Sequence, residues 1–193
     1  MPASTESAGL KNLLAGYPKA AVKKAAGIKA LFFDTDGVLT DGKIIYSGSG
    51  EESKEFHVRD GLIISHLKKN GIVVGIISGR ESAAVARRAA ELKLDFCHQD
   101  IEDKAWAVRQ LLDHYRLKPR EVAYIGDDLN DLGVFSLVGL SACPADAPLY
   151  IKAKADIVTT VKGGRGVVRE VADLLLMAQG KLAGLVASFS KKS

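Results

Sequence analysis

The stretch "IKALFFDTDGVLTDG", Ile28 to Gly42, begins as an apolar, β-prone run and ends in Asp34, Asp36 and Asp41, with glycines between them. Like charges repel, so an apolar strand gains nothing in itself by ending in carboxylates. Two readings are open here. An Asp after a strand is most often the N-cap of the next helix. Alternatively, a bound cation neutralises the cluster.

Working outward, the pattern alternates. "KIIYSGSGEESKEFHV" reads as two short strands about a "GSGEE" turn, a hairpin over about residues 43–58. "RDGLIISHLKKNG" has helical period and stops at Gly71, and "IVVGIIS" is a second buried strand. "RESAAVARRAAELK" is a helix and "DFCHQ" a short strand. "EDKAWAVRQLLDHYR" is an amphipathic helix with Trp106, Leu111 and Leu112 expected in the core. "EVAYIGD" is a strand, "DLNDLGVFSLV" a short helix, "GLSACP" and "ADIVTT" strands, and "GVVREVADLLLMAQGK" a closing helix. Strands that are apolar throughout and alternate with helices indicate a parallel sheet covered on both faces, a doubly wound α/β domain. The expected division is an N-terminal arm with a short helix over 1–27, the α/β domain over 28–181, and a C-terminal tail over 182–193.

The chain has 193 residues, 47% of them hydrophobic, and a net charge of +4. That composition suits one ordinary globular domain. No apolar run approaches the roughly 20 residues of a membrane span, and the N-terminus lacks an apolar signal core. Cys97 and Cys143 lack metal-ligand spacing and read as buried thiols in a reducing compartment, which makes the cytoplasm the expectation. The basic residues are dispersed and do not interleave with aromatics, so no nucleic-acid partner is expected.

In a doubly wound sheet, ligands bind beyond the carboxyl ends of the strands. Asp34 and Asp36 follow the first strand, and Ser78 to Arg80 follow the second. Lys104 opens the helix after the third, and Asp127, Asp128 and Asp131 follow the fourth. Singly each is weak: a lone Ser-Gly is a turn and a lone Lys a surface group. Together at one edge they are suited to phosphate and a hard metal. Mg²⁺ takes oxygen ligands, one or two of them carboxylates, and Asp34 and Asp127 on adjacent strands would supply these. Asp34 would attack phosphorus, and Asp36 would protonate the leaving alkoxide and then deprotonate water. Ser78 and Lys104 would hold the phosphoryl oxygens. Gly37 and Gly42 would let the chain turn closely round the site.

With these residues in place, the chain resembles the haloacid dehalogenase superfamily of phosphatases. "DTDGVLT" matches its D-x-D-G-x-[LV]-T motif, and "IISGR", Lys104 and "GDDLND" match the other three in order. "DGVLTDGKIIYSGSGEESKEFHVRDG", "GDDLNDLGVFSLVGLSACPADA" and "GGRGVVREVADLLLMAQGK" are similar to the cap-less branch typified by 3-deoxy-D-manno-octulosonate 8-phosphate (KDO 8-phosphate) phosphatases. The resemblance implies a Mg²⁺-dependent homotetramer of Rossmann-like cores, with the hairpin in place of a cap. It implies Asp34 as nucleophile, Asp36 as acid and base, and Asp34, the Asp36 carbonyl and Asp127 as metal ligands. Asp128 and Asp131 would stand behind these, orienting Lys104 or metal-bound water, although Asp131 equally suits a helix cap. Implied substrate contacts are Asp36, His57, Val58, Arg59, Asp60, Gly61, Arg80, Arg88, Lys104 and Asn130, with a neighbour's C-terminal segment near the site. Near Ser65, where some members carry an arginine, this chain has Ser65 and His66.

Other residues read more plainly. Arg87 is surface, Asp41 a turn residue, and no histidine has a partner at ligand spacing. The glycines of "GGRG" imply a close backbone approach, which a tetramer would place near a neighbour's site. The alternative activity is a phosphatase for a nonulosonate 9-phosphate. A non-catalytic oligomerisation or regulatory domain is disfavoured because Asp36 and Lys104 are both present. A phospho-receiver is disfavoured because its phosphorylated Asp would follow the third strand.

Overall fold

The computed structural model describes residues 14–190. Its centre is a parallel sheet of β1 (Ala30–Phe33), β4 (Val73–Ile77), β5 (Phe96–His98), β6 (Val122–Ile125), β7 (Leu140–Cys143) and β8 (Ile157–Val158). The spatial order is β5-β4-β1-β6-β7-β8. β1 is fully buried and its side chains alternate between two cores. Leu31 and Phe33 enter one core, Ala30 and Phe32 the other. This is why the strand has to be apolar at every position.

The first core is closed by α1 (Lys19–Ala25), α2 (Val58–Lys69), α3 (Ala83–Glu91), α7 (Val167–Ala178) and α8 (Leu182–Ser190). The second is closed by α4 (Lys104–His114), α5 (Leu132–Phe135) and α6 (Leu149–Lys152). Val167, Val168, Val171, Ala172, Leu174, Leu175 and Leu176 bury one broad face of α7, as a helical period requires. The doubly wound expectation therefore holds. The hairpin is present as β2 (Ile45–Tyr46) and β3 (Glu52–Ser53), paired over only two rungs.

Several expectations change. Residues 182–190 were expected to be a tail and form α8. The short helix expected before residue 28 is α1, whose Ala21 and Ala25 are buried in the first core. The remaining arm residues before Leu14 and the last three residues lie outside the described range. Trp106 is exposed, while Leu111 and Leu112 are buried. The buried face of α4 runs through Lys104, Ala107, Val108, Leu111 and Leu112, and Trp106 stands about 200° from Lys104 at 100° per residue. Cys143 is buried but Cys97, near the sheet edge, only half so. Among the described residues no single helix is long and apolar enough to cross a membrane, and the apolar pair α7 and α8 is bent by 107°.

β1 connects leftward to β4, whereas β6 connects rightward to β7. The crevice between the ends of β1 and β6 is thus the topological switch point, where ligands bind in such sheets. The register Phe33↔Ile125 brings Asp34 and the segment from Gly126 to Asp127 to that crevice.

Candidate active site

A cavity of about 410 Å³ opens at the switch point. It is lined by Asp34, Asp36, Ser78, Arg80, Asp127, Asp128, Asn130, Gly37, Gly42, Gly79 and Leu129. Three of the four sequence segments thus line it directly, and Lys104 closes its floor. The Lys104 Nζ lies 2.5 Å from Asp34 Oδ2 and 2.8 Å from Asp131 Oδ1. The Lys104 side chain is wholly buried, so both contacts are desolvated.

Asp131 accepts from four donors. Oδ1 takes Lys104 and the Tyr124 hydroxyl (2.7 Å), and Oδ2 takes the backbone N–H groups of Asp127 (2.8 Å) and Asp128 (3.2 Å). A carboxylate has about four lone-pair positions, so Asp131 is filled. It folds the "GDDLND" turn and holds Lys104. Asp128 is exposed and caps its own turn through Leu129 N–H.

Asp34 Oδ1 accepts from Thr35 N–H at 2.6 Å. Burial pushes the Asp34 carboxyl up to about 6, against the opposing pull of Lys104. Asp127 has no hydrogen-bond donor among the described residues. Burial, then the Asp34 and Asp131 carboxylates, push it up to about 8. Burial alone would lower the Lys104 ammonium, but Asp34 and Asp131 outweigh it and hold it above the lysine range.

Oxygen atoms of Asp34, Asp127 and Asp131 lie within 4.8 Å of one another. With Asp131 filled, Asp34 and Asp127 remain as a converging pair of hard oxygen donors, one of them without a partner. That donor set fits a hard divalent cation of the Mg²⁺ type. The close approach rests on Gly37, where φ is +79° and an added Cβ would sit 1.9 Å from Asp127 Oδ2.

Asp36 stands at the cavity wall. Its Oδ1 lies 2.5 Å from the Nζ of Lys54, a hairpin side chain only 1% exposed. Glu52 bridges Lys54 (3.6 Å) and Arg80 (2.9 Å), and Arg80 also lies 3.5 Å from Asp36 Oδ2. Sequence reasoning missed Lys54 and Glu52. Their only signal was a charged pair, i and i+2, on one face of the second hairpin strand. Asn130 reaches the cavity beside Gly79. Asp41 is the turn residue expected, accepting from Lys43 N–H at 3.1 Å. Arg87 pairs with Glu91 on the surface.

The other expected substrate contacts are not brought to this cavity within the chain. His57 caps α2, accepting from Arg59 N–H. Val58 is exposed, and Arg59 faces a separate cavity with Arg165 and Arg169. Asp60 is 2% exposed and accepts from Arg169 N–H at 2.7 Å, so it caps α7. Gly61 packs on Arg88, whose guanidinium lies over the Phe56 ring at 5.8 Å. His66 instead lies edge-on to Phe189 of α8, in a groove apart from the cavity. The close approach at "GGRG" is internal: a Cβ on Gly163 would meet the Gly37 carbonyl oxygen at 2.1 Å.

A parallel doubly wound sheet with paired aspartates at its switch point, a buried lysine and a D-x-D turn defines a haloacid dehalogenase-type hydrolase. The family described as haloacid dehalogenase-like hydrolase matches residues 93–171. The KDO 8-phosphate phosphatase KdsC of Yersinia pestis is 47% identical over 163 residues, covering 84% of this chain and 87% of its own. KdsC of Escherichia coli K12 is 47% identical over 161 residues, covering 83% of this chain and 86% of its own. The crystal structure of the Moraxella catarrhalis KDO 8-phosphate phosphatase with magnesium, phosphate and KDO superposes with a TM-score of 0.86. It is 41% identical and covers 88% of this chain and 97% of its own. The chain belongs to the KDO 8-phosphate phosphatase family of haloacid dehalogenase-like hydrolases.

Proposed function

We propose that this protein is a Mg²⁺-dependent phosphomonoesterase that hydrolyses KDO 8-phosphate to KDO and phosphate, a step in supplying the sugar acid of lipopolysaccharide. One observation carries the reading: Asp34 and Asp127 converge on one point of a cavity that also presents Asp36, Ser78 and Arg80 and is floored by Lys104. Asp34, Asp127 and the Asp36 carbonyl would hold the cation, which neutralises carboxylates and phosphate alike and so favours their approach.

Asp34 attacks phosphorus while the bond from phosphorus to the sugar oxygen breaks. Asp36 gives its proton to that oxygen, releasing KDO. Asp36 then takes a proton from a water molecule, which attacks the aspartyl-phosphate. Phosphate leaves and Asp34 is regenerated. Lys104 and Ser78 hold phosphoryl oxygens throughout, and Arg80 at the rim offers a cation to the anionic substrate. Purified protein with Mg²⁺ is expected to release phosphate from KDO 8-phosphate, and Asp34→Asn to abolish this. Undiminished turnover by that variant defeats the mechanism.

The homotetramer and the cytoplasmic location enter from the family resemblance. Two features support assembly. Ile44, Ile45 and Tyr46 of the hairpin are 50%, 43% and 64% exposed, an apolar edge that a neighbouring copy would cover. His57 to Gly61 and Arg88 lie away from their own cavity, where contact with substrate would need a neighbour's site. Sedimentation of the wild type and of a Tyr46→Glu variant tests this, with a smaller species expected for the variant.

A further inference from the structure

We propose that Lys54 is a positioning residue for the acid–base carboxylate: it anchors Asp36 through Oδ1 and leaves Oδ2 to carry the proton. The inference rests on the phosphomonoesterase reading and adds the hairpin to the working machinery.

The geometry is specific. The Lys54 Nζ is 2.5 Å from Asp36 Oδ1, and the Thr40 hydroxyl reaches the same oxygen at 3.4 Å. Among the described residues Oδ2 has only the long 3.5 Å contact to Arg80. One carboxylate oxygen is therefore bound and the other is nearly free. The Lys54 side chain is 1% exposed, and a buried ammonium is costly unless it is paired. Among the described residues its pairs are Asp36 and, at 3.6 Å, Glu52. The hairpin strands share only two rungs, which by themselves would hold a ribbon poorly. The ion pairs of Lys54 and Glu52 with Asp36 and Arg80 fasten it to the rim of the cavity.

In the first half-reaction an Asp34 oxygen bonds to phosphorus while the bond from phosphorus to the leaving oxygen breaks, its electron pair staying on that oxygen. The proton passes to it from Asp36 Oδ2. In the second half, Oδ2 takes one proton from the water whose oxygen bonds to phosphorus, while the bond from phosphorus to Asp34 breaks and its electron pair returns to the Asp34 carboxylate. A carboxylate free to turn would present this oxygen only part of the time.

The test exploits the leaving group. An alkoxide needs the proton, whereas p-nitrophenolate leaves without it. kcat/KM is measured for KDO 8-phosphate and for p-nitrophenyl phosphate in wild type, Lys54→Met and Lys54→Arg. Lys54→Met is expected to lose roughly 100-fold or more on the sugar phosphate and under about 10-fold on the aryl ester, because positioned proton transfer contributes about 10²–10⁴-fold. Lys54→Arg, which keeps the cation, recovers most of the loss. Equal losses on the two esters, or no loss, overturn the inference. If Lys54→Met does not fold, Glu52→Gln, which loosens Lys54 without removing it, shows the same selective loss or overturns the proposal. A wild-type protein inactive on both esters overturns instead the phosphatase reading beneath it.

Discussion

Lys104 and Asp131 face each other at 2.8 Å with both side chains fully buried. The contact joins the start of α4 to the turn after β6, so it sets where the floor of the cavity lies. Asp131→Asn would leave a buried ammonium short of one carboxylate and turn an amide N–H₂ toward backbone donors. Removing one partner of a buried pair costs about 3–5 kcal/mol. Urea unfolding is expected to show a loss of that order, together with loss of turnover. A variant as stable as the wild type would show that Asp131 is not the keystone of this turn.

Cation binding is expected to release a proton. Asp127 is held up to about 8 and Asp34 to about 6 when no cation is present. At pH 7 Asp127 is therefore mostly protonated, and a divalent ion has to displace that proton. Apparent affinity falls as pH falls below about 8, by roughly tenfold per unit for one proton displaced. Calorimetry of Mg²⁺ binding at pH 7 in two buffers of different ionisation enthalpy measures the proton count. A buffer-independent heat would contradict it.

Asp60 predicts a second, separate pH effect, this one on stability. Burial pushes it from 3.8 up to about 6, and its Oδ2 has no hydrogen-bond partner among the described residues. A raised carboxyl favours the protonated native state. Its contribution is full below about pH 4 and is lost as pH rises through 6. Two units correspond to about 3 kcal/mol. Asp60→Asn keeps an acceptor for Arg169 N–H without the charge. Thermal melts should show its Tm, relative to wild type, rising between pH 5 and pH 8. A constant difference across that range would place the charge elsewhere.

Gly163→Ala is expected to damage the site from behind. The new Cβ would lie 2.1 Å from the Gly37 carbonyl oxygen, a backbone atom that cannot swing aside. Overpacking of this kind costs about 1–3 kcal/mol. The Asp34–Asp36 turn must shift, so Mg²⁺ affinity and kcat should both fall while α-helical content by circular dichroism holds. Unchanged Mg²⁺ affinity would mean that the turn adjusts without cost.

The strands and their reactive ends were legible because both follow from short-range pattern. β1 is apolar at each residue because it is covered on both faces, and Asp34 must follow it at the switch point. Trp106 was misplaced because a large aromatic suggests burial, whereas the register of α4 is set by Lys104 and the leucines. α8 is less legible, because of its residues only Leu182 is fully buried. Lys54 was invisible for a different reason. It is 18 residues from Asp36 and looks like an ordinary hairpin lysine until the hairpin is laid across the cavity. The place of the segment from His57 to Gly61 depends on how α2 packs on α7, a tertiary fact no local pattern carries.

The Asp60 cap has a mechanical consequence. Asp60 in the first turn of α2 grips the N-terminus of α7 through Arg169 N–H. α7 begins immediately after the 163–166 loop. There Gly164 N–H binds the Val38 carbonyl at 3.0 Å, and Gly163 lies flush against Gly37. The exposed surface around Val58 and the nucleophile turn are thus two ends of one lever. A load that tilts the start of α2 reaches the backbone that aims Asp34 through the packed α2–α7 interface, the Asp60 carboxylate and this pair of glycines.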